Sequence, residues 1–384
     1  MIAVFAALAV LTFPYIGLEY TVSLGAHTLN VPFADLAALA LLPLAALSWR
    51  PALAVPLPGW PGWLLLVLAG VVGALTVAPD RGDALYALLR KPVFLYLAWG
   101  GGFAWVVARA LPPAWLRVAL EVSATIASLV LIWSSVSRIE AGNSLWWSAI
   151  AGVTNNHKTL AVALVPTVPL LLGLAPSGDR RSLPVVGLIL VGLVLSVSRT
   201  SWITAAFALS FFIHFRGRPL ADRRGLAVVL VAAGILASLY GPLLMGSVAQ
   251  LDAARSRHSL DKRAWAMFQE HPLFGNGVGT NVSFIQNTFP DYRVNGVDAH
   301  GALQKIGSEL GLVGIAGWLL LNGAVFYTLR SRALAGARLD HAVYVCFLAL
   351  HVNLLLSTET FSQTHWAMIG LCWGLAFRSR GPRA

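Results

Sequence analysis

The sequence is poor in charged residues and in cysteine. Only 11% of its 384 residues are charged and 58% are hydrophobic, whereas a soluble domain carries roughly 25% charged residues. This shortage of charge excludes an ordinary soluble protein and predicts one that lies in lipid. The two cysteines, Cys346 and Cys372, are too few for a disulfide framework or a zinc site. Both fall in apolar stretches, where we expect them to be small buried hydrophobes.

Motifs for repeats, metals and cofactors are also lacking. No period of about 20 to 50 residues is visible, which excludes repeat architectures. The candidate site segments contain no His-x-x-x-His or Asp-x-Asp spacing, so no metal is indicated. The stretch Gly275-Asn-Gly-Val-Gly279 lacks the full dinucleotide-binding spacing, and we interpret it as a turn. We therefore expect neither a metal nor an organic cofactor.

Apolar runs recur along the whole chain. About twelve of them approach the roughly 17 to 25 residues that a membrane-spanning helix needs. They predict an all-α polytopic membrane protein in which residues 1–384 form a single membrane domain. The first run lacks preceding basic residues and a clear cleavage site, which favours a retained helix over a signal peptide. The predicted spans lie near residues 1–18, 32–48, 62–78, 92–109, 116–136, 158–175, 183–198, 200–215, 225–243, 303–328, 341–357 and 361–377.

The basic residues indicate the orientation of these spans. With the N-terminus inside, the cytoplasmic connections carry more than half of the 27 Lys and Arg residues, as the positive-inside rule predicts. That bias explains most of the net charge of +11, so the charge is no argument for nucleic-acid binding. The other basic residues lie at the outer side, which indicates either an anionic ligand there or ion pairs with outer acidic residues.

Residues 244–302 form one long outer connection of about sixty residues, and loops of such length are usually functional. Inside it, a helix is predicted to begin after Ser259 and to end at His271, because a proline follows. Its basic residues Lys262 and Arg263 face either an anionic ligand or solvent. Its predicted apolar face comprises Leu260, Ala264, Met267 and Phe268.

The tenth predicted span begins just after His300. At about 3.6 residues per turn, His300 shares one helix face with Gln304 and with three glycines that let a neighbouring helix approach closely. These glycines are Gly307, Gly311 and Gly314. A helix N-terminus disfavours the imidazolium, so a neutral histidine able to accept a proton is favoured there. The alternative is a structural histidine.

Two further groups of polar residues border the predicted outer ends of spans. Arg199 lies in a tight turn, where its planar fork of donors suits a phosphate. The alternative for Arg199 is a side chain that snorkels to the interface. Asn156, His157 and Lys158 place an amide, an imidazole and an ammonium together before the sixth span. They are either ligand contacts or a polar cap on that helix.

Together these residues resemble the O-antigen ligase and polymerase superfamily. The family commonly has Asn directly after the histidine, whereas Gly301 takes that place here. The resemblance covers about residues 185–330, and the rest of the chain only by topology. It rests on the Ser198-Arg199 turn, Arg263-x-Trp265, His271-Pro-Leu-Phe-Gly275-Asn-Gly-Val-Gly279, His300 with Leu303-Gln304, and Glu309-Leu-Gly-Leu-Val-Gly314.

The resemblance implies a GT-C-like glycosyltransferase of the bacterial inner membrane, inverting and metal-independent, with a periplasmic active site. Its donor would be a glycan on undecaprenyl diphosphate, its acceptor the lipid A-core oligosaccharide, and its surroundings membrane lipids. The implied catalytic base is His300. The candidate substrate-binding residues are Arg199, Arg263, Lys158, His157, Asn156, Tyr292 and Gln304.

Three alternatives remain open at the level of sequence. An O-antigen polymerase of the same family differs in its acceptor, and other oligosaccharide transferases belong to the same superfamily. A secondary transporter would also be polytopic. It is expected to show broken helices near mid-membrane and ionisable relays, whereas the ionisable groups here cluster at the outer edge.

The predicted topology is testable by thiol labelling. A cysteine introduced near residue 285 is expected to react with a membrane-impermeant reagent added from outside, because the 244–302 loop is predicted to be periplasmic. A cysteine near residue 220 is expected to be protected until the membrane is permeabilised. Labelling at 220 with protection at 285 would reverse the orientation.

Overall fold

The computed structural model describes about two thirds of the chain in separate stretches, chiefly one long N-terminal stretch and one long C-terminal stretch. They are residues 9, 19–24, 27–32, 39–43, 55–141, 161, 163–175, 179–196, 199–214, 260–280, 301–356 and 362–378.

A small β-hairpin near the N-terminus departs from the all-α expectation. Strand β1 (Glu19–Leu24) pairs antiparallel with strand β2 (His27–Pro32). The register sets Tyr20 opposite Val31 and Thr21 opposite Asn30. Polar and apolar residues alternate along the sequence of β1, a period typical of a strand. The sequence analysis treated these residues only as the connection between the first two spans.

The rest of the described fold is helical. Its C-terminal helices are α9 (Ala302–Leu334), α10 (Arg338–Leu356) and α11 (Gln363–Arg378). The preceding helices are α1 (Trp60–Thr76), α2 (Arg81–Leu88), the π-helical segment π1 (Leu89–Phe103), α3 (Ala104–Arg109), α4 (Pro113–Ala141), α5 (Thr167–Leu174), α6 (Leu183–Leu195), α7 (Arg199–His214) and α8 (residues 260–270).

Apart from α2, which lies between two predicted spans, and the loop helix α8, these helices coincide with predicted spans, and α5 covers the later part of the sixth span. The predicted spans at 1–18, 32–48 and 225–243 lie mostly or wholly outside the described residues. Within the described part, Pro113–Trp133 of α4 and the whole of α9 are long and apolar enough to cross a membrane by length and composition. The loop helix predicted after Ser259 is present as α8.

Glycines bring the backbones of α1 and α9 together. The two helices run antiparallel, with Gly62 against Gly317 and Gly70 near Leu310. A Cβ on Gly317 would lie 2.7 Å from the carbonyl oxygen of Gly62, closer than any real Cβ contact. Because lipid supplies no hydrophobic drive for helix association, such small residues allow the close packing on which membrane bundles depend.

The C-terminal helix α11 lies along π1 and α3 in the same direction. Gly370 meets the backbone of Trp99, and Gly374 meets that of Ala104. The π-type winding contains Pro92, which cannot donate a backbone hydrogen bond. The indole Nε1 of Trp63 donates to the Pro92 carbonyl at 2.7 Å. A tertiary contact thus stabilises the irregular segment.

Aromatic rings connect four helices through the interior. Trp63 stacks on Tyr96 with ring centroids 4.8 Å apart, and Tyr96 meets the edge of Trp366 at 5.3 Å. Trp366 stacks on its neighbour His365 at 5.0 Å, and His365 lies 6.1 Å from His351 of α10. The chain of rings runs from α1 through π1 and α11 to α10, so these helices share one packed core.

Large apolar side chains on α4 face outward. They recur every three or four residues, which places them on one side of the helix, and a soluble protein rarely exposes such a continuous patch. The pattern is that of a lipid-facing helix. The exposed residues are Trp115, Val118, Val122, Ile126, Leu129 and Trp133.

Arg117 connects helix ends at the predicted cytoplasmic side. Arg117 of α4 donates to Asp179 at 2.6 Å and to Glu121 at 2.8 Å, and it holds the pKa of Asp179 below its usual value. Ser182 donates to the same Glu121 at 2.6 Å, which attaches the start of α6 to α4. Arg117, which the sequence indicated only as a cytoplasmic positive charge, therefore also connects neighbouring helices.

The two cysteines lie side by side on adjacent helices. The Sγ atoms of Cys346 on α10 and Cys372 on α11 are 3.5 Å apart, and both side chains are fully buried. Their burial confirms the expectation of small buried hydrophobes. Their proximity was not predicted, because positions 26 residues apart in sequence become neighbours only through the antiparallel packing of the two helices.

We expect a lipid-soluble oxidant such as iodine to join Cys346 to Cys372, because the sulfurs need only approach to about 2.05 Å. The two thiols lose two electrons and two protons to the oxidant. Mass spectrometry of unreduced peptides should detect the linked α10 and α11 fragments, and the Cys346→Ser variant should not yield them. Failure to form the bridge in folded protein would contradict the packing of α10 on α11.

Candidate functional site at the α9 break

The structure describes only part of the predicted site. Arg263 and Gln304 are described with their side chains, and Arg199 is the first residue of α7. Gln304 is exposed, and Arg263 is half-buried on α8. The other candidates lie outside the described residues. They are His300, Lys158, His157, Asn156 and Tyr292.

Arg199 and the start of α9 lie at the same end of the bundle, as the packing of their helices against α10 indicates. Arg338 at the start of α10 donates to Leu172 at the end of α5, and α6 begins at this same end of the bundle. Trp202 at the start of α7 donates to Leu193 near the end of α6, so α7 starts at the opposite end and runs antiparallel to α10. Phe211 of α7 contacts α10 through Tyr344 at 6.3 Å between ring centroids. The first residue of α7 therefore lies toward the end of α10. At that same end, a Cβ on Gly301 would lie 3.2 Å from the Leu355 carbonyl oxygen. Arg199 and the residue after His300 thus occupy the same end of the bundle.

Helix α8 packs on the first turns of α9 at this end. Leu260, Ala264 and Met267 are buried, as the predicted apolar face requires, and Phe268 is half-buried. The Phe268 ring would contact a Cβ placed on Gly307 at 3.6 Å. Lys262, Trp265 and Glu270 are exposed on the other side. The amphipathic pattern of the loop helix is therefore confirmed, and its apolar face covers α9.

Helix α9 is broken at Gly311. This residue has φ 64° and ψ −161°, a conformation that is essentially restricted to glycine. The assumption from the sequence was one continuous helix with His300, Gln304, Gly307, Gly311 and Gly314 on a common face. That assumption was wrong, because the break changes the direction of the chain between Gly307 and Gly314. Gln304 is exposed, whereas the three glycines are buried.

The loop that follows α8 supplies the hydrogen bonds that the break removes. In a regular helix the amides of Leu312 and Val313 would donate to the carbonyls of Ser308 and Glu309. Here they donate to Pro272 and Leu273 of the loop, at 2.8 and 3.1 Å.

The released carbonyls find donors in the same loop. Asn276 N–H donates to Ser308 at 3.1 Å, and Gly277 N–H donates to Glu309 at 2.9 Å. Each half of the broken helix is thus paired with residues 272–277. Broken backbone at membrane depth is tolerated where the protein itself satisfies it, as here.

The loop also sits against α1. A Cβ on Gly73 would lie 2.8 Å from the amide nitrogen of Gly277, and a Cβ on Gly70 would touch Val278. Gly275 and Gly277 both have positive φ. A Cβ on Gly275 would collide with the backbone of Glu309 and Leu310. The predicted turn at residues 275–279 is therefore an insertion between α1 and the α9 break, in which glycine is required by close backbone contact.

Two charged side chains of α9 near the break are buried. Lys305 is 4% exposed and Glu309 is fully buried. Lys305 was not singled out from the sequence as a candidate, and Glu309 was quoted only as part of a motif. The sequence did contain a signal for these two residues. A lysine and a carboxylate one helical turn apart in an apolar segment are costly to bury, and such a pair indicates a functional role.

A second buried polar group was also missed. His351 of α10 contacts the Asn322 amide oxygen of α9 through Nε2 at 2.8 Å, and its Nδ1 lies 2.8 Å from the Phe347 carbonyl. His365 of α11 is 1% exposed. Polar side chains that bond between helices help to hold membrane bundles together. Histidines inside predicted apolar spans were the sequence signal for this cluster.

Residues 184–319 match a family model described as O-Antigen ligase. The resemblance to the O-antigen ligase family is confirmed for this stretch. The match begins at the start of α6 and ends at the α9 residues that cross α1, so it includes Arg199, α8, the inserted loop and the break. It supports a glycan ligase or polymerase activity and an integral membrane protein. No curated protein matches the chain.

We expect Gly311→Ala to destabilise the protein strongly. Its Cβ would lie 2.5 Å from the carbonyl carbon and oxygen of Leu273, and the backbone conformation alone costs about 1 to 3 kcal/mol for a residue with a side chain. Gly323→Ala is the matched control, since its Cβ would meet nothing within 4 Å. The measurement is thermal unfolding in detergent. Equal midpoints for the two variants would contradict the proposed break.

Proposed function

We propose that the chain is an O-antigen ligase of the bacterial inner membrane. It transfers a glycan from undecaprenyl diphosphate to a hydroxyl of the lipid A-core oligosaccharide, with inversion and without a metal. The observation that carries the proposal is the match over residues 184–319, because that stretch contains the elements gathered at the α9 break. Membrane lipid surrounds the bundle, and nucleic acid has no role.

The proposed architecture is GT-C-like, with about twelve membrane-spanning helices in one domain and residues 244–302 in the periplasm. Helix α9 runs antiparallel to α1 and also to α10. These directions support a topology in which successive spans reverse direction. The N-terminal β-hairpin then lies at the periplasmic side, between the first two proposed spans.

The proposed diphosphate site uses positive charge in a water-poor setting. Arg199, Arg263 and Lys158 stabilise the leaving diphosphate, and the guanidinium fork of arginine matches two phosphate oxygens at once. His157, Asn156, Tyr292 and Gln304 contact the polar parts of the substrates. The exposure of Gln304 and the half-burial of Arg263 at the same end of the bundle support these roles.

The proposed base is His300, which directly precedes the glycine at the start of α9. It accepts the proton of the attacking sugar hydroxyl as the new glycosidic bond forms and the bond to the diphosphate breaks. Inversion requires attack from the face opposite the leaving group. A base at His300 is therefore expected to act from the side of the sugar opposite the diphosphate and its arginines.

Two alternatives differ in what they require. A polymerase would use a second lipid-linked glycan as acceptor. An assay that offers different acceptors therefore distinguishes a polymerase from a ligase. A transporter was expected to contain broken helices, and α9 is broken at Gly311. The break is filled by the chain's own loop, and the matched family is one of glycan ligases, so a ligase is favoured.

We expect substitutions of His300 and Arg199 to fail in different ways. His300→Ala should lower turnover by about 100- to 10,000-fold, with donor binding kept, because a general base contributes on that scale. Arg199→Lys should weaken donor binding as well as turnover, because an ammonium cannot reproduce the two-pronged contact. Transfer is measured in EDTA with purified protein, lipid-linked glycan, and either lipid A-core or a second glycan.

Matched controls lie at the opposite end of the bundle. His341→Ala and Arg330→Lys make the same substitutions where α9 and α10 meet away from the break, and both should retain activity. Thermal stability is measured for every variant. A fully active His300→Ala would remove the base assignment, and loss of transfer in EDTA with rescue by magnesium would overturn metal independence. Transfer only to the second glycan would make the protein a polymerase.

A further inference from the structure

Asn276 joins three elements of the site with one side chain. Its Nδ2 donates to the Met267 carbonyl of α8 at 3.0 Å and to the Ser308 carbonyl of α9 at 2.9 Å. Its backbone N–H donates to the same Ser308 carbonyl at 3.1 Å. The residue is 8% exposed. One amide group thus uses both of its protons to connect α8 with the first half of α9.

The bond to Met267 reaches a carbonyl near the end of α8 that also accepts the His271 backbone N–H at 3.3 Å. A carbonyl oxygen has two lone pairs, so the Asn276 side chain supplies its second hydrogen bond. The bond to Ser308 reaches a carbonyl released by the break at Gly311. Asn276 therefore adds a side-chain donor to two carbonyls, one near the end of α8 and one beside the break in α9. Losing the side chain would leave each carbonyl with one backbone donor and would remove the direct connection between the two helices.

The two connected elements carry different candidate groups. Helix α8 carries Arg263, four residues before Met267. The first half of α9 carries Gln304, four residues before Ser308, and directly follows His300 and Gly301. The separation of Met267 and Ser308 consequently influences the separation of the proposed diphosphate contact and the proposed base.

We propose that Asn276 is a positioning residue that fixes α8 relative to the first half of α9 and so aligns the donor with the base. The inference rests on the proposed function for its catalytic consequence and not for its geometry. Asn276→Ala is expected to lower kcat by about 10- to 100-fold, because a displacement near 1 Å can cost that much. Donor binding per folded molecule should change by less than about threefold, because Arg263 itself is retained.

The geometry is tested separately with spin labels on exposed residues. Labels replace Lys262 on α8 and Leu303 on α9, in a background in which both buried cysteines are alanine. Asn276→Ala should broaden or shift the distance distribution between the labels. Thr280→Ala is the matched control, because the buried Thr280 hydroxyl donates only to Gly277 within the loop, at 2.7 Å. It should leave the label distance and kcat unchanged.

Two further variants separate positioning from simple loss of stability. Asn276→Asp keeps the size but cannot donate two protons as a carboxylate, so it should resemble Asn276→Ala. Asn276→Ser keeps one donor and should give an intermediate kcat. If Asn276→Ala does not fold, Asn276→Ser replaces it in both measurements. An unchanged label distance, or an unchanged kcat per folded molecule, in Asn276→Ser and Asn276→Asp would overturn the proposal. A wild-type protein without transferase activity would overturn the function while the label distances still test the connection.

Discussion

The exchange of backbone hydrogen bonds between the α9 break and residues 272–277 is the interaction on which the described site depends. A helix interrupted among apolar helices leaves N–H and C=O groups that water cannot reach, and each unsatisfied group costs free energy. The loop offers two carbonyls and two amides in matching positions. The helix can therefore break only if the loop is present, and the loop has a defined conformation only against the broken helix.

This dependence explains why glycines gather on both sides of the contact. Gly275 and Gly311 adopt positive φ and lie where a side chain would collide with the opposite backbone. Gly73 gives the loop its place against α1. Close backbone approach, rather than flexibility, is what these positions require. The same contact brings α8 beside the first half of α9, so that helices distant in sequence form one end of the bundle.

The remaining helices hold this end of the bundle in place by two kinds of contact. Small residues let backbones meet where α1 crosses α9 and where α11 lies along π1. Polar and aromatic side chains then connect the helices laterally, as the Asn322–His351 contact and the stacking of Trp63 on Tyr96 do. Large apolar residues on α4 face outward. The division between small interior contacts and bulky outward residues is what a lipid environment favours.

The sequence by itself determined the membrane class, the described spans and the loop helix with its buried face, which follow from local composition and periodicity. It also carried the motifs on which the resemblance over about residues 185–330 rests, and residues 184–319 match the family model. Only the tertiary structure decided that α9 breaks at Gly311, that residues 272–277 fill the break, and that Cys346 meets Cys372. Periodicity continues through Gly311 without a sign of interruption, because the groups that compensate for the break lie more than thirty residues away. Contacts between distant segments have no local signature.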